Sequence, residues 1–336
     1  MNNNTQDDTL GTIRFGVIGT GPISERFAQA GIKCKSFALT AVYSRELSRA
    51  RAFAASYGAE HCYDDLDSFC RSPHIDAVYI GTPNSLHCPQ ATKALQAGKH
   101  VLCEKPLASN ITEVNAMMET ARKNGVVLLE ILRPVSSSAY SVIKERIGEL
   151  GAIRRVSVSY HQYSSRYDNY KNGIIENAFN PELSNAALMD IGCYCVQWLV
   201  GLFGSPKSVI SRSIKLKTGF EGAGIFLAEY DGMIAQVSYS KITQGVAPSI
   251  IEGENGSIVL DHPVATRKIT LVTRDGRETV WDIDRSEDNF LKVIEGFTRF
   301  IHSDAGLDAY HACSINAMKI MDTVREQQSI VFPADA

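Results

Sequence analysis

The sequence predicts an α/β chain in two parts: a doubly wound parallel sheet, followed by an α+β domain on an open, mostly antiparallel sheet. Three observations carry this. The chain has 336 residues, more than one ordinary domain holds, so two domains are the default expectation. Strand and helix patterns alternate through the first ~150 residues, the mark of a parallel sheet with helices on its faces. After Gly151 the β-rich runs are separated by Asp231-Gly232, Asn255-Gly256 and Asp275-Gly276, and such dipeptides are strong hairpin signals.

Taken in order, "MNNNTQDDTLGT" (1–12) is polar and acidic. It lacks the basic-then-apolar order of a secretion signal and reads as a disordered lead-in. "IRFGVIG" (13–19) is a short β-branched run ending in glycine, followed by the helical "ISERFAQAGIK". "LTAVYS" (39–44) is the next strand, then an alanine-rich helix from Glu46 to Tyr57. "DAVYIGTP" (76–83) precedes the helix "SLHCPQATKALQAG", which Gly98 closes. "HVLCEKP" (100–106) leads to a helix over Ile111–Asn124, and "VVLLEILR" (126–133) to one over Tyr140–Gly148. The first domain is therefore drawn over 13–133 and the second over 134–336.

In the second part "IRRVSVSYHQY" alternates with period two, as a half-buried strand does. A helix over Asn185–Phe203 interrupts the strands early, and helices over Asn289–His302 and Leu307–Gln327 close the chain. Alternating apolar residues in "GIFLAEY" (224–230) and "IAQVSYS" (234–240) would leave one sheet face uncovered in a monomer, so a homodimer or higher homo-oligomer through this sheet is expected.

Composition narrows the function. The chain is 44% hydrophobic and 21% charged with a formal charge of −3, which suits a globular protein and gives no sign of a nucleic-acid or anionic-membrane partner. No apolar run approaches the ~20 residues of a membrane span, and a cytoplasmic location is the default expectation. The eight cysteines contain no C-x-x-C pair and read as buried hydrophobes. The histidines lack metal-ligand spacing, so no metal site is expected.

"GTGPIS" (19–24) follows a strand and opens a helix, the context of a dinucleotide-binding fingerprint. Gly19 permits the tight turn and Gly21 lets backbone approach a pyrophosphate at the helix N-terminus. The third glycine is replaced by Ser24. The tip of the second strand reads Tyr43-Ser44-Arg45, with Arg49 one turn on, where an NAD site usually carries an acid. A hydroxyl and guanidinium groups suit a 2′-phosphate, so NADP is preferred over NAD.

With "YIGTPNSLH" (79–87), "CEKPL" (103–107) and "LMDIG" (188–192) in order behind that turn, the chain resembles the Gfo/Idh/MocA oxidoreductase family over its length after residue 12. The resemblance implies a Rossmann domain followed by an α/β domain on an open sheet. It implies that Gly19, Gly21, Pro22, Ile23, Ser44, Arg45, Arg49, Thr82, Pro83, Asn84, His87, Glu104, Lys105 and Arg133 adjoin the cofactor, and that Lys105, Asp190 and Tyr194 serve catalysis. Most members place histidine where Tyr194 stands. The tyrosine resembles the branch containing glucose–fructose oxidoreductase and the dimeric dihydrodiol dehydrogenases, which mainly uses NADP. A second departure is "EILRPVSSSAY" (130–140), where Ser136–Ser138 replace bulkier residues.

Hydride transfer at a carbinol carbon needs a partner for the hydroxyl proton. A free phenol has a pKa of about 10, and a nearby ammonium favours its phenolate. Tyr194 is read as the acid–base group, Lys105 as its assisting cation, and Asp190 as the carboxylate that fixes the lysine or substrate hydroxyls. Asn177, Phe179 and Asn180, in the loop before that helix, are candidate substrate contacts. "YHQYSSRYDNY" (160–170) could line a sugar pocket or be an edge strand and its loop. The expected activity is NAD(P)-dependent oxidation or reduction of a sugar, cyclitol or trans-dihydrodiol. The alternatives are an NAD-dependent glycosidase and a ligand-sensing regulator without turnover.

Overall fold

The computed structural model describes residues 11–284 and 289–336, so the lead-in over 1–12 falls outside it except for its last two positions. The described chain forms two compact units. The first takes residues 11–108, 112–131 and 289–312, and the second 109–111, 132–284 and 313–336. The single boundary drawn after 133 thus meets a chain that returns to its first unit near the end.

The first unit alternates β1 (Ile13–Ile18), α1 (Pro22–Gly31), β2 (Phe37–Tyr43), α2 (Leu47–Tyr57), β3 (His61–Tyr63), α3 (Leu66–Cys70), β4 (Ala77–Ile80), α4 (His87–Gln96), β5 (His100–Cys103), α5 (Ile111–Asn124) and β6 (Leu128–Glu130). Its six strands are all parallel in the order β3-β2-β1-β4-β5-β6, the doubly wound dinucleotide-binding order. β6 is shorter than the apolar run suggested, since the chain leaves the sheet ahead of Pro134. Phe15, Phe27, Phe37 and Tyr79 form the aromatic centre of this core, with Phe27 stacked on Tyr79 at 3.8 Å.

The second unit contains α6 (Ser138–Arg146), β7 (Ile153–His161), α7 (Tyr167–Lys171), α8 (Cys193–Phe203), β8 (Ser208–Lys215), β9 (Glu221–Tyr230), β10 (Met233–Ser240), β11 (Ser249–Gly253), β12 (Gly256–Leu260), β13 (Lys268–Thr273) and β14 (Glu278–Asp282). The strands run in the order β14-β13-β12-β11-β7-β10-β9-β8. The three Asp-Gly and Asn-Gly turns close antiparallel hairpins, while β7 and β10 pair in parallel. α9 (Asn289–His302) then brings Phe290 to 6.4 Å from Phe27 and Phe297 to 5.9 Å from Phe15, which is why the chain returns to the first unit. α10 (Leu307–Gln327) ends in the second unit.

One face of the large sheet is buried through Val156, Val158, Val237, Tyr239, Phe226 and Ile251. The other presents Ile210, Leu227 and Ile234 at 66%, 48% and 56% exposure. Pro181–Phe203 is long and apolar enough to cross a membrane by composition, with mean hydropathy 1.5, yet 78% of that window is buried. Its apolarity is that of a core helix.

Candidate active site

In the first unit the turn between β1 and α1 is built around Gly19, whose φ of +96° is a left-handed conformation suited to glycine. A Cβ there would stand 3.1 Å from the Gly81 carbonyl oxygen. Gly21 is the extended N-cap of α1, has no atom within 4 Å of where a Cβ would point, and leaves the helix without a side-chain cap. An open, uncapped helix N-terminus with Pro22 in its first turn fits a pyrophosphate.

The replaced third glycine is explained across the sheet. Ser24 is fully buried, and a Cβ on Gly81 would come within 2.6 Å of its hydroxyl. Close helix–strand packing is kept because the glycine sits on the facing strand end. At the tip of β2, Ser44 donates its N–H to Tyr63 and is followed by the exposed Arg45 and Arg49. Glu46 is exposed at the N-cap of α2 and makes no side-chain capping bond. The charges presented at this tip therefore include two guanidinium groups, which suits a 2′-phosphate.

Beyond β4, Thr82 donates its hydroxyl to Gln90 at 2.6 Å. Asn84 is buried and Pro83 half-buried. Beyond β5, Glu104 is buried and accepts from the Tyr79 hydroxyl at 3.2 Å and from the Lys105 backbone N–H at 3.3 Å. Lys105 is half-buried and precedes a cis Pro106. His87, expected beside a cofactor, is fully buried, with its ring nitrogens 2.8 Å from the Thr82 carbonyl and 2.9 Å from that of Pro106. Burial holds its pKa below the ordinary value. Its work is to brace the Thr82 and Lys105 turns against each other.

In the second unit the helix carrying Asp190 and Tyr194 opens with a π turn, Leu188–Gly192, before α8 begins. Such insertions mark functional sites with some frequency. Glycine at 192 lets the turn press on β10, since a Cβ there would lie 3.0 Å from the Tyr239 ring. The Leu188 N–H donates to the buried Glu221 carboxyl at 2.8 Å. Leu188, Met189, Ile191 and Gly192 are buried, while the Asp190 side chain keeps 31% of its surface exposed.

Tyr194 is buried, and its ring centre lies 6.1 Å from that of Tyr160. Tyr160 meets His262 edge-on at 4.6 Å. The Nδ1 of His262 accepts from the Val264 and Ala265 N–H groups, both at 3.0 Å, so Nε2 carries the proton of the neutral ring. Tyr160, His161, Gln162, Gln244, Asp261 and His262 line a cavity of about 140 Å³. Of the stretch 160–170 only Tyr160, His161 and Gln162 line this cavity, and His262, given no part in the sequence reading, joins them.

Asp190 pairs with Lys241, which the sequence reading missed: Nζ lies 2.5 Å from Oδ2. A lone lysine after a strand, 51 residues from its partner, carries no local signal. The residues expected to contact substrate have the following surroundings. Phe179 is 3% exposed, packs on Tyr170 and Tyr167, and lies under the Lys241 ammonium at 4.6 Å. Asn180 caps the short turn Pro181–Leu183 through the Glu182 N–H, whereas Asn177 is exposed. Ser137 caps α6, which accounts for a small residue in the serine run. Arg133 is partly buried and falls in the second unit. Cys193 and Cys195 are buried and in no disulfide, and burial pushes Cys195 up, so they pack rather than react.

Comparison with known proteins gives the family and the fold. Residues 13–131 match the family model "Oxidoreductase family, NAD-binding Rossmann fold", and residues 141–259 match "GFO/IDH/MocA C-terminal domain". The chain is 41% identical over 325 residues to scyllo-inositol 2-dehydrogenase (NADP(+)) IolU of Bacillus subtilis (strain 168), covering 96% of this chain and 99% of the relative. It is 29% identical to the trans-1,2-dihydrobenzene-1,2-diol dehydrogenase of Xenopus laevis, over 80% of this chain and 81% of that one. Among solved structures, a 3-ketoreductase from Actinomadura kijaniata with NADP and TDP-benzene shares the fold at TM-score 0.84 and 22% identity, covering 94% of this chain and 98% of that one.

Proposed function

Because the chain belongs to the Gfo/Idh/MocA family of oxidoreductases, we propose that it is an NADP-preferring dehydrogenase acting on a ring CH–OH group of a cyclitol or sugar, with Tyr194 as the proton carrier. The observation that carries this reading is the placement of Asp190 in the π turn and Tyr194 at the start of α8, in one continuous helix, with the Tyr194 ring 6.1 Å from the ring of Tyr160, which lines the cavity shared with His262. Similarity to an NADP-dependent inositol dehydrogenase at 41% identity supports the cyclitol class.

The bound nicotinamide would supply the hydride acceptor or donor. The open N-terminus of α1 would hold the pyrophosphate, and Ser44 with Arg45 the 2′-phosphate. Tyr194 takes or returns the hydroxyl proton and Asp190 accepts a hydrogen bond from a substrate hydroxyl, with Lys105 kept as the further proposed catalytic residue. The polar cavity receives the far hydroxyls of the ring. The exposed isoleucines and leucine of the large sheet support a homodimer through that face.

The test is a panel of inositols, aldoses and trans-dihydrodiols with NADP and NAD, read by nicotinamide absorbance. Reduction of NADP by a cyclitol is expected. Reduction by none of the panel, or a preference for NAD, overturns the reading.

A further inference from the structure

Lys241 is an expensive residue to place where it stands. Its side chain is 3% exposed, and a buried ammonium is costly unless paired and hydrogen-bonded. Its backbone is pinned on both sides, with its N–H on the Gly222 carbonyl at 2.8 Å and its carbonyl on the Ser164 N–H at 2.9 Å. Its Nζ donates to Asp190 Oδ2 and to the Ala178 carbonyl, both at 2.5 Å, and rests over the Phe179 ring.

The pair is lopsided. The cation is hidden while 31% of the Asp190 side chain faces outward. A buried ion pair is weak evidence for stability and is often replaceable by apolar packing. What this pair achieves is a carboxylate of fixed orientation at the surface of the site. Glu221 also feels the lysine, and burial pushes it up to about 7, whereas Asp190 is the carboxylate in direct contact with Nζ.

We infer that Lys241 is a positioning residue: it holds Asp190 as an ionised, oriented acceptor one turn from Tyr194, and so selects ligands that present an O–H donor beside the reacting carbinol. An ionised carboxylate accepts hydrogen bonds and cannot donate them. The favoured ligand class is accordingly a vicinal diol, with the neighbouring hydroxyl on Asp190. This inference rests on the proposed dehydrogenase reading.

The experiment compares Lys241→Met, which keeps length and packing, with Lys241→Arg, which keeps the charge. Steady-state rates are taken across pH on a cyclitol that the native enzyme oxidises, and NADPH affinity is measured separately by fluorescence. Lys241→Met should raise KM at least roughly tenfold, leave NADPH affinity unchanged, and move the acid limb of kcat/KM toward neutrality, because a carboxylate without its cation holds its proton to higher pH. Lys241→Arg should recover most of the loss. A native KM and pH profile in Lys241→Met overturns the inference, as does a loss shared equally by NADPH binding. Should Lys241→Met fail to fold, Lys241→Met/Asp190→Asn removes both charges. It should match Asp190→Asn alone in KM, and additive losses would refute the coupling. Absence of polyol turnover by the native enzyme would be a failure of the dehydrogenase reading alone. The infrared carboxylate band of Asp190, assigned through Asp190→Asn, then decides for Lys241: it should be present at about pH 5.5 in the native protein and diminished in Lys241→Met. An unchanged band refutes the inference.

Discussion

Glu221 offers the sharpest numerical test of this structure, because a buried acid is tied directly to the turn that carries Asp190. The side chain is 1% exposed, and burial raises its pKa from 4.5 to about 7. The Leu188 N–H on Oε1 and the charges of Arg325 and Lys241 pull the other way without cancelling burial. Below pH 4.5 the folded and unfolded chains both carry the proton, and the group contributes no difference. Between 4.5 and about 7 the folded state keeps a proton that the unfolded chain has released, so stability falls as pH rises. Above about 7 the full cost is present, about 3 kcal/mol for a shift of this size.

Glu221→Gln keeps the shape and the acceptor for Leu188 but cannot ionise. Thermal melts of both proteins from about pH 5 to pH 8.5 isolate the group, since all other titrations are shared. The difference should favour the variant increasingly as pH rises, by up to about 6–12 °C if roughly 2–4 °C corresponds to each kcal/mol in a unit of this size. A difference that stays flat with pH, or a variant less stable than the native protein at the alkaline end, would refute the argument that burial governs this carboxyl.

Three further outcomes are expected. Arg45→Ala should weaken NADPH by about 10- to 150-fold and spare NADH, as loss of one charged hydrogen bond implies; equal losses in fluorescence titrations would remove Arg45 from the phosphate site. Tyr194→Phe keeps the ring's packing but not its proton, so turnover should fall roughly 10²- to 10⁴-fold with little change in melting temperature; near-native turnover would make the phenol structural. Leu227→Glu, on the uncovered sheet face, should convert a dimer into monomers by light scattering, because like charges would meet across a symmetric interface; a native protein that is already monomeric at micromolar concentration would contradict the dimer.

What could be read from the sequence was whatever neighbours along the chain decide. Helix α5 has the bounds its pattern indicated, and each glycine dipeptide after Gly151 closes a hairpin, because period and turn chemistry are local. Parallel pairing of β7 with β10 joins Val158 to Val237, and no local pattern encodes it. The π turn is a second case: "LMDIGCYC" is helical by composition, and the close approach of Gly192 to the Tyr239 ring, where a Cβ would stand at 3.0 Å, comes from a distant strand. Ser24 in place of glycine becomes intelligible through Gly81, and the neighbour of Asp190 through Lys241. The same limit hid the contacts of Phe179 and His87: motif position put them beside ligands, and the fold adds that Phe179 lies under the Lys241 ammonium and that the His87 ring bridges the Thr82 and Pro106 carbonyls. Motif order identifies which residues serve the site, whereas the groups that fix their charge and direction are supplied by the fold, and mutations aimed at those supporting groups are the ones that separate chemistry from packing.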